Sequence, residues 1–483
     1  MVTSVQLKAT LEGLGQRLVS QEQEKLRQVA QSVGSPCHIL FPAEFAARIN
    51  AFRQAFVTAG VNGEVFYATK ANKSEAFLDT AAACGIGVDV ASREEMISAL
   101  GAGVAGERLM VTGPHKGASF HRLAIRHGAC IAVDSAEELA ALIETCRGDG
   151  NPRAARVVLR LRPALEARSR FGMDEQEIRE AIALLAQERS HLCLEGFSIH
   201  LGGYDVAARA VCGAKLVELA LFARELDHTP RLIDLGGGWP VCYVEEDQWK
   251  RLQEILSPEH FHASRKFDSF YPYFQPVAGA DALRACLETP LSKSGNLALL
   301  CARHGLTLAV EPGRALLDQA GLSVFGIRAI KGRNDGYSII TAEGQSFSLS
   351  EQWFGSEFLP DPVLIPQEPR MAEPTLACVA GSSCLDSDML TWRKIEFAVP
   401  PAPGDLLIYV NTAGYQMDSN ESSFHRTPLP RKIAAWVDNG RLEWCDDALF
   451  HNVDPALINH SFERRNSDDY HAHHGLDRLH ASA

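Results

Sequence analysis

The sequence predicts an α/β chain, a (β/α)8 TIM-like barrel followed by a C-terminal all-β domain. Three observations carry this. Eight short apolar runs rich in β-branched and aromatic residues recur at 65–69, 86–90, 109–112, 130–133, 156–161, 194–199, 232–235 and 306–310. Helix-like stretches separate most of them, and two open on Ser-x-x-Glu capping boxes, Ser92 to Glu95 and Ser135 to Glu138. After about Gly321 the rhythm changes to short strand-like runs without long helices. Eight strands alternating with helices over roughly 250 residues is a barrel pattern; a doubly wound open sheet competes with it but usually has fewer strands.

In chain order, residues 1–35 read as a helical extension. Leu7, Leu11, Leu14, Leu18 and Leu26 are interleaved with charges until Gly34-Ser35-Pro36 breaks the pattern. The barrel is assigned to 36–320, with amphipathic helices expected at 173–188 and 206–226. The β domain is assigned to 321–458, with strands at 324–327, 337–341, 375–379, 395–399, 406–410 and 432–437. Asp438-Asn439-Gly440 signals a hairpin, because Asn-Gly tolerates the positive φ angles of a type I′ turn. Two stretches read as inserted. One is 241–305, which contains Phe270-Tyr271-Pro272-Tyr273-Phe274; the other is 350–366, which contains Trp353, Phe354 and Phe358. Segments of this length are often lids or binding loops, and packing at the surface is the plainer reading. The tail 459–483 is polar, with His471, His473, His474 and His480; it is expected to be disordered, and no metal site is assigned.

Composition narrows the function. A hydrophobic fraction of 46% permits a large core, and a formal charge of −13 argues against nucleic acid or an anionic membrane as the main partner. No apolar run approaches the ~18 residues a membrane span requires. The 12 cysteines contain no CxxC pair, which fits reduced thiols in a cytoplasmic protein.

In such a barrel, chemistry gathers at the C-terminal strand ends. Phe66-Tyr67-Ala68-Thr69-Lys70-Ala71-Asn72 reads as a buried strand that delivers one lysine to a pocket mouth. Desolvation there would favour its neutral amine. Asp89 ends the second strand, His200 with Leu201-Gly202-Gly203 the sixth, Asp234-Leu235-Gly236-Gly237-Gly238 the seventh and Glu311-Pro312-Gly313-Arg314 the eighth. Each alone has an ordinary structural reading, as a surface lysine, a turn glycine or a strand-end acid. Jointly they describe a pyridoxal phosphate site. The lysine can form an imine, a carboxylate can hold a protonated ring nitrogen and an imidazole can stack on a ring. Glycine N–H groups and an arginine can meet a phosphate.

These stretches resemble the fold-type III pyridoxal phosphate-dependent decarboxylases, the family of ornithine, arginine and diaminopimelate decarboxylases. Ser198-Ile199-His200, Gly381-Ser382-Ser383-Cys384-Leu385-Asp386-Ser387-Asp388 and Ala413-Gly414-Tyr415 extend the resemblance, which spans roughly 36–437. It implies decarboxylation of an amino acid by a homodimer with shared active sites, through a Schiff base on Lys70. Glu311 then pairs with the pyridine nitrogen and His200 stacks on the ring. Gly236, Gly237, Gly238, Gly313, Arg314 and Tyr415 hold the phosphate, and Asp89 and Glu95 sit near the lysine. Cys384 comes from the partner subunit and takes part in protonating the decarboxylated carbon. Asp388 forms a cross-interface ion pair with Arg170.

Two positions depart from the family pattern. Leu385 stands where the ornithine and diaminopimelate enzymes have an acid that meets the substrate's distal amine, and Gly203 stands where some members have a phosphate-binding serine. Enclosing a distal ammonium without a counter-charge costs several kcal/mol, so small diamino acids are disfavoured unless Asp386 substitutes. Leu385, Asp386 and Asp388 are therefore the expected substrate-side positions, and a larger or less basic amino acid is the expected substrate. An amino acid racemase on the same fold and a non-catalytic regulatory homologue are the competing readings.

Overall fold

The computed structural model describes residues 6–148, 153–291, 295–350, 355–454 and 456. The chain opens with α1 (Gly13–Ser20), α2 (Gln23–Val33), β1 (Cys37–Leu40) and α3 (Pro42–Ala59). The barrel then runs β2 (Gly63–Ala68), α4 (Glu75–Ala83), β3 (Gly87–Val90), α5 (Arg93–Gly101), β4 (Leu109–Val111), α6 (Ala118–His127), β5 (Cys130–Val133) and α7 (Ala136–Gly148). It continues with β6 (Ala155–Arg160), α8 (Glu175–Gln187), β7 (Leu192–Ser198), α9 (Val206–Glu225), β8 (Leu232–Asp234), α10 (Glu246–Ile255) and α11 (Gly279–Glu288). The short pair β9 (Pro290–Leu291) and β10 (Gly295–Asn296), then α12 (Leu297–Arg303) and β11 (Thr307–Val310), complete it. Strand β11 pairs with both β2 and β8, which closes eight parallel strands into a barrel.

Each of the eight predicted barrel runs is a barrel strand, with ends displaced by no more than two residues. Side chains alternate across these strands. Phe66, Met110, Cys130, Ala132, Val158 and Ala309 form one cluster, while Val65, Tyr67, Val88, Val90, Ile131 and Val157 belong to another that includes the helices. The first set fills the barrel and the second faces the helical layer. A Cβ at Gly87 would stand 2.3 Å from the Phe66 ring, so that ring fits only beside a glycine. Ser92 and Ser135 each accept the N–H three residues on, at 3.1 and 3.2 Å, and fix where α5 and α7 begin.

The second sheet comprises β1 with β12 (Gly321–Gly332), β13 (Ser338–Ala342), β14 (Val363–Ile365), β15 (Thr375–Ala380), β16 (Met389–Phe397), β17 (Leu406–Val410), β18 (Arg431–Asp438) and β19 (Arg441–Asp446). Strand β1 lies inside the predicted barrel span 36–320, yet it pairs antiparallel with β12 and parallel with β18. The β domain therefore takes an interior strand from the start of the chain. The predicted extension is two helices rather than one. Leu14, Leu18, Leu26 and Val29 of these helices pack on Ile39, Leu322, Val324 and Ile408, and so cover one face of this sheet. Asp438 pairs with Arg441, and Asn439 and Gly440 take φ of 46° and 80°, the type I′ hairpin expected there.

The described residues of the two inserted stretches pack on each other. Residues 241–305 supply α10, α11 and α12, and Tyr271 and Tyr273 are buried. Phe358 of the second stretch is buried edge-on against Tyr243 and Tyr273, at 5.8 and 5.7 Å. Trp353, Phe354 and the histidine-bearing tail lie outside the described residues. Among the described residues no helix is long and apolar enough to cross a membrane.

Candidate active site

Strand β2 ends on Ala68, and one tight helical turn, Thr69–Ala71, carries Lys70 into a cleft of about 600 Å³ at the C-terminal mouth of the barrel. Thr112, Arg160, Phe171, His200 and Glu311 share its lining. The turn is tied on every side. Tyr67 Oη donates to Asn72 O at 2.6 Å, Thr69 Oγ1 to Asp89 O at 3.1 Å, and Asn72 Nδ2 to Ala413 O at 2.8 Å.

Lys70 Nζ donates to Asp89 Oδ2 at 3.3 Å, while Asp89 Oδ1 accepts Thr112 Oγ1 at 2.6 Å. Burial alone would lower the lysine pKa, but Asp89, Tyr415 and Glu311 outweigh it and hold the ammonium above its ordinary value. This corrects the expectation of a neutral amine. The carboxylate on the neighbouring strand decides the protonation state, and the amine has to lose a proton before it attacks anything. Glu95 accepts the Ala91 N–H at 2.6 Å and so serves the start of α5.

Glu311 follows β11 and is buried beside Asp234 at the end of β8. Burial, then Asp234 and Asp89, raise its pKa well above the carboxylate range; burial also raises Asp234, to about 6. Two adjacent buried carboxyls cannot both ionise cheaply, so they hold a proton between them. His200 is kept neutral by burial and by the charges of Lys70, Arg160 and Arg209. Its Nδ1 accepts the Gly237 N–H at 3.4 Å, which fixes the ring against the glycine turn.

That turn is built for close approach. Gly236 and Gly238 take φ of 67° and 75°, and a Cβ at Gly237 would stand 2.9 Å from both Glu311 O and the His200 ring. The expectation that all three glycines offer their N–H groups to phosphate needs correcting at two of them. The Gly236 N–H already donates to Asp234 Oδ1 at 2.8 Å, and that of Gly237 to His200. Arg209, buried, braces the turn from behind by donating to Leu235 O at 2.7 Å and Gly238 O at 3.0 Å.

Opposite, Gly313 and Tyr415 meet closely, since a Cβ on Gly313 would stand 3.1 Å from the Tyr415 hydroxyl. The Arg314 guanidinium lies 4.2 Å from the Tyr271 ring and 5.0 Å from that of Tyr415, and donates to Tyr243 Oη at 3.0 Å. The aromatic residues of the inserted stretch therefore support Arg314 from beneath. They do not line the cleft.

The β-domain residues are placed differently. Cys384, Leu385 and Asp386 are exposed and do not line the Lys70 cleft of their own chain. Asp388 is only 3% exposed, and its two oxygens accept Ser346 N–H at 2.7 Å and Ser383 N–H at 3.0 Å. Arg170 stacks on the Phe171 ring at 4.1 Å. Within its own chain Asp388 thus organises the loop of Cys384. Gly203 is exposed, with φ of 74°.

Sequence reasoning assigns no role in the site to Asp234, Arg160, Thr112, Phe171 or Arg209. Asp234 was legible only as an acid before three glycines. Arg160, which pairs with Asp134 at 3.0 Å, and Thr112 stand at strand ends with no further signal.

Pyridoxal phosphate requires an amine, an acid for its ring nitrogen, a flat face and an anion cradle; the cleft lining supplies the first three, and the glycine turn and Gly313 stand against it. The buried Glu311 and the contact that a Gly237 Cβ would make with His200 show that the space beside the lysine is shaped rather than incidental.

Comparison with known proteins agrees. The family model for the pyridoxal binding domain of pyridoxal-dependent decarboxylases matches residues 42–265. The uncharacterized protein y4yA of Sinorhizobium fredii is 38% identical over 419 residues, covering 86% of this chain and 91% of that one. The diaminopimelate decarboxylase of Bacillus subtilis is 26% identical over 85% of this chain and 88% of its own. Among solved structures, the diaminopimelate decarboxylase of M. jannaschii in co-complex with L-lysine has the same fold, with a TM-score of 0.70 at 19% identity over 89% of this chain and 95% of that one. With that family model on its barrel and that likeness over most of its length, the chain belongs to the fold-type III pyridoxal phosphate-dependent decarboxylases.

Proposed function

We propose that the protein decarboxylates an amino acid other than a small diamino acid, with Lys70 carrying the cofactor. The observation that carries the reading is the convergence of Lys70, Asp89, His200 and Glu311 on one cleft. Bound pyridoxal phosphate supplies the electron sink for the pair released when the substrate carboxylate leaves as CO2.

The chain's own residues do the rest. Glu311 holds the protonated ring nitrogen, and Asp234 behind it sets the proton count of that corner. Neutral His200 offers its flat face, as an imidazolium would not beside a cationic ring. Gly238, Gly313, Arg314 and Tyr415 hold the phosphate. Asp89 keeps the Lys70 ammonium in place and accepts its proton when the amine is needed. Cys384 reaches the site from a second copy of the chain and protonates the carbon that has lost CO2; in its own chain it is not among the residues that line the Lys70 cleft. Leu385, beside it, presents no charge for a distal ammonium.

Two assays test this. Reduction of the protein with borohydride in the presence of pyridoxal phosphate, followed by peptide mapping, places the label on Lys70; a label elsewhere overturns the assignment. A panel of amino acids, extended to conjugated diamino acids, is assayed for CO2 release. Turnover of ornithine or meso-diaminopimelate at the rate of a dedicated enzyme overturns the substrate class.

A further inference from the structure

Two loops of the β domain hold a pair that the proposed function leaves unused. Cys384 Sγ stands 3.2 Å from His425 Nε2. Both residues are exposed, so burial does not force them together. The backbone does. His425 and Arg426 take φ of 60° and 58°, two consecutive left-handed residues that each carry a Cβ, an arrangement that persists only when its surroundings hold it.

One short segment holds both loops. Gln345 Nε2 donates to Phe424 O at 2.9 Å and to Thr427 Oγ1 at 3.1 Å, on either side of the imidazole. On the thiol's side, the N–H and Oγ of Ser382 donate to Gly344 O at 2.8 and 2.9 Å, and Ser346 N–H donates to Asp388 Oδ1. The Phe424 ring sits edge-on to His425 at 4.2 Å. The charged groups are Asp386 and Asp388 on the thiol's loop, Asp418, Glu421 and Arg426 on the imidazole's, and Glu343 on the segment between them; Asp388 accepts from two backbone N–H groups, and Asp418, Glu421 and Glu343 pair with Lys432, Lys73 and Arg328. A thiol and an imidazole clamped at hydrogen-bond distance make a proton-transfer pair.

We propose that His425 is a positioning residue for Cys384 and its source of protons. The inference rests on the decarboxylase reading, in which Cys384 protonates the carbon that has lost CO2. In each cycle the Cys384 S–H bond breaks and its proton bonds to that carbon. The thiolate left behind takes the Nε2 proton of the His425 imidazolium, and the exposed ring regains a proton from water. One proton enters for each CO2 that leaves, and no oxidant or reductant is needed. Imidazole suits the task because its ordinary pKa lies near neutrality, below that of a thiol.

The test is the pH dependence of Cys384 alkylation by iodoacetamide in the holoenzyme, read at its own peptide by mass spectrometry from about pH 5 to about pH 10. His425→Asn, which tolerates the left-handed backbone, and His425→Gln are compared with wild type. The expected result is that alkylation in wild type rises at lower pH than in either variant. The turnover number of the variants for CO2 release falls about tenfold or more, with KM little changed. Identical alkylation profiles overturn the inference and leave the decarboxylase reading standing. Undiminished CO2 release by Cys384→Ser overturns the part played by the pair in the reaction, even if the profiles differ. Failure of the wild type to release CO2 from any member of the panel overturns the reading beneath it.

Discussion

The backbone N–H of Tyr415 donates to the carbonyl of Ala71 over 2.7 Å, and through this bond the β domain grips the turn that bears Lys70. Two neighbouring contacts do the same. Asn72 Nδ2 reaches Ala413 O at 2.8 Å, and Lys73 N–H reaches Asp418 Oδ2 at 2.7 Å, with Asp418 in turn paired to Lys432. The barrel supplies the lysine and the second domain sets where it points.

Asn72→Ala tests that relationship. Asn72 is fully buried, so the substitution strands the Ala413 carbonyl and loosens the turn. We expect a loss of about 1–3 kcal/mol in stability, read by thermal denaturation. We also expect weaker retention of pyridoxal phosphate, read by its absorbance after dialysis. Unchanged retention in a destabilised variant would show that the turn keeps its shape without the domain contact.

The acid pair makes a second prediction. Burial raises Asp234 from its ordinary 3.8 to about 6 and places Glu311 well above the carboxylate range. Both therefore bind protons more tightly folded than unfolded. Their stabilisation is complete below about pH 4 and is lost as pH rises through the folded values. Asp234→Asn keeps an acceptor for the Gly236 N–H and deletes one titration. The variant apo-protein is expected to be more stable than wild type at pH 8, by on the order of 3 kcal/mol. The gap closes toward pH 4. Melting temperatures across that range read it directly, and parallel curves would refute it.

What the sequence makes legible follows from how far apart the deciding groups lie. Parallel strands buried on both faces read as unbroken apolar runs, which is why Cys130–Val133 is plain from composition alone. Cys37–Leu40 is not among the strands the sequence predicts, because its partners β12 and β18 lie far along the chain. The first half of β16 is hidden by Trp392-Arg393-Lys394; Arg393 lies inside only because Asp361 and Leu359 O receive its guanidinium. The site divides the same way. Lys70, Asp89, His200 and Glu311 announce themselves as strand ends. The protonation of Lys70 depends on a carboxylate from the next strand, and the burial of Asp388 depends on Ser346. No local pattern carries either.

Asp388 and Arg170 supply a third prediction. Asp388→Ala leaves two backbone N–H groups without an acceptor, at a cost of about 2 kcal/mol or more, and disorders the loop of Cys384. Arg170→Ala removes only a cation from the Phe171 ring and is expected to be near neutral. The double variant should then be additive to within about 0.5 kcal/mol, both in stability and in subunit association. A coupling well above that would show an ion pair between them across an interface.

Leu385 decides the substrate on the present reading, and its backbone makes the position a clean one to alter. Its N–H donates to Ser383 Oγ at 3.4 Å and its carbonyl accepts the Asp388 N–H at 3.0 Å, so the loop fixes where the side chain leaves. Leu385 is 39% exposed in the single chain, which leaves room for a carboxylate without repacking. Leu385→Asp is expected to raise kcat/KM for a small diamino acid by about a hundredfold, the worth of a few kcal/mol of charge pairing in an enclosed site. Turnover of the wild type's best substrate falls in the same variant. Comparing the two ratios separates a change in selectivity from a general loss. If the ratio does not move, discrimination belongs instead to Glu166 and Arg168, the charged side chains that the loop after β6 places along the cleft.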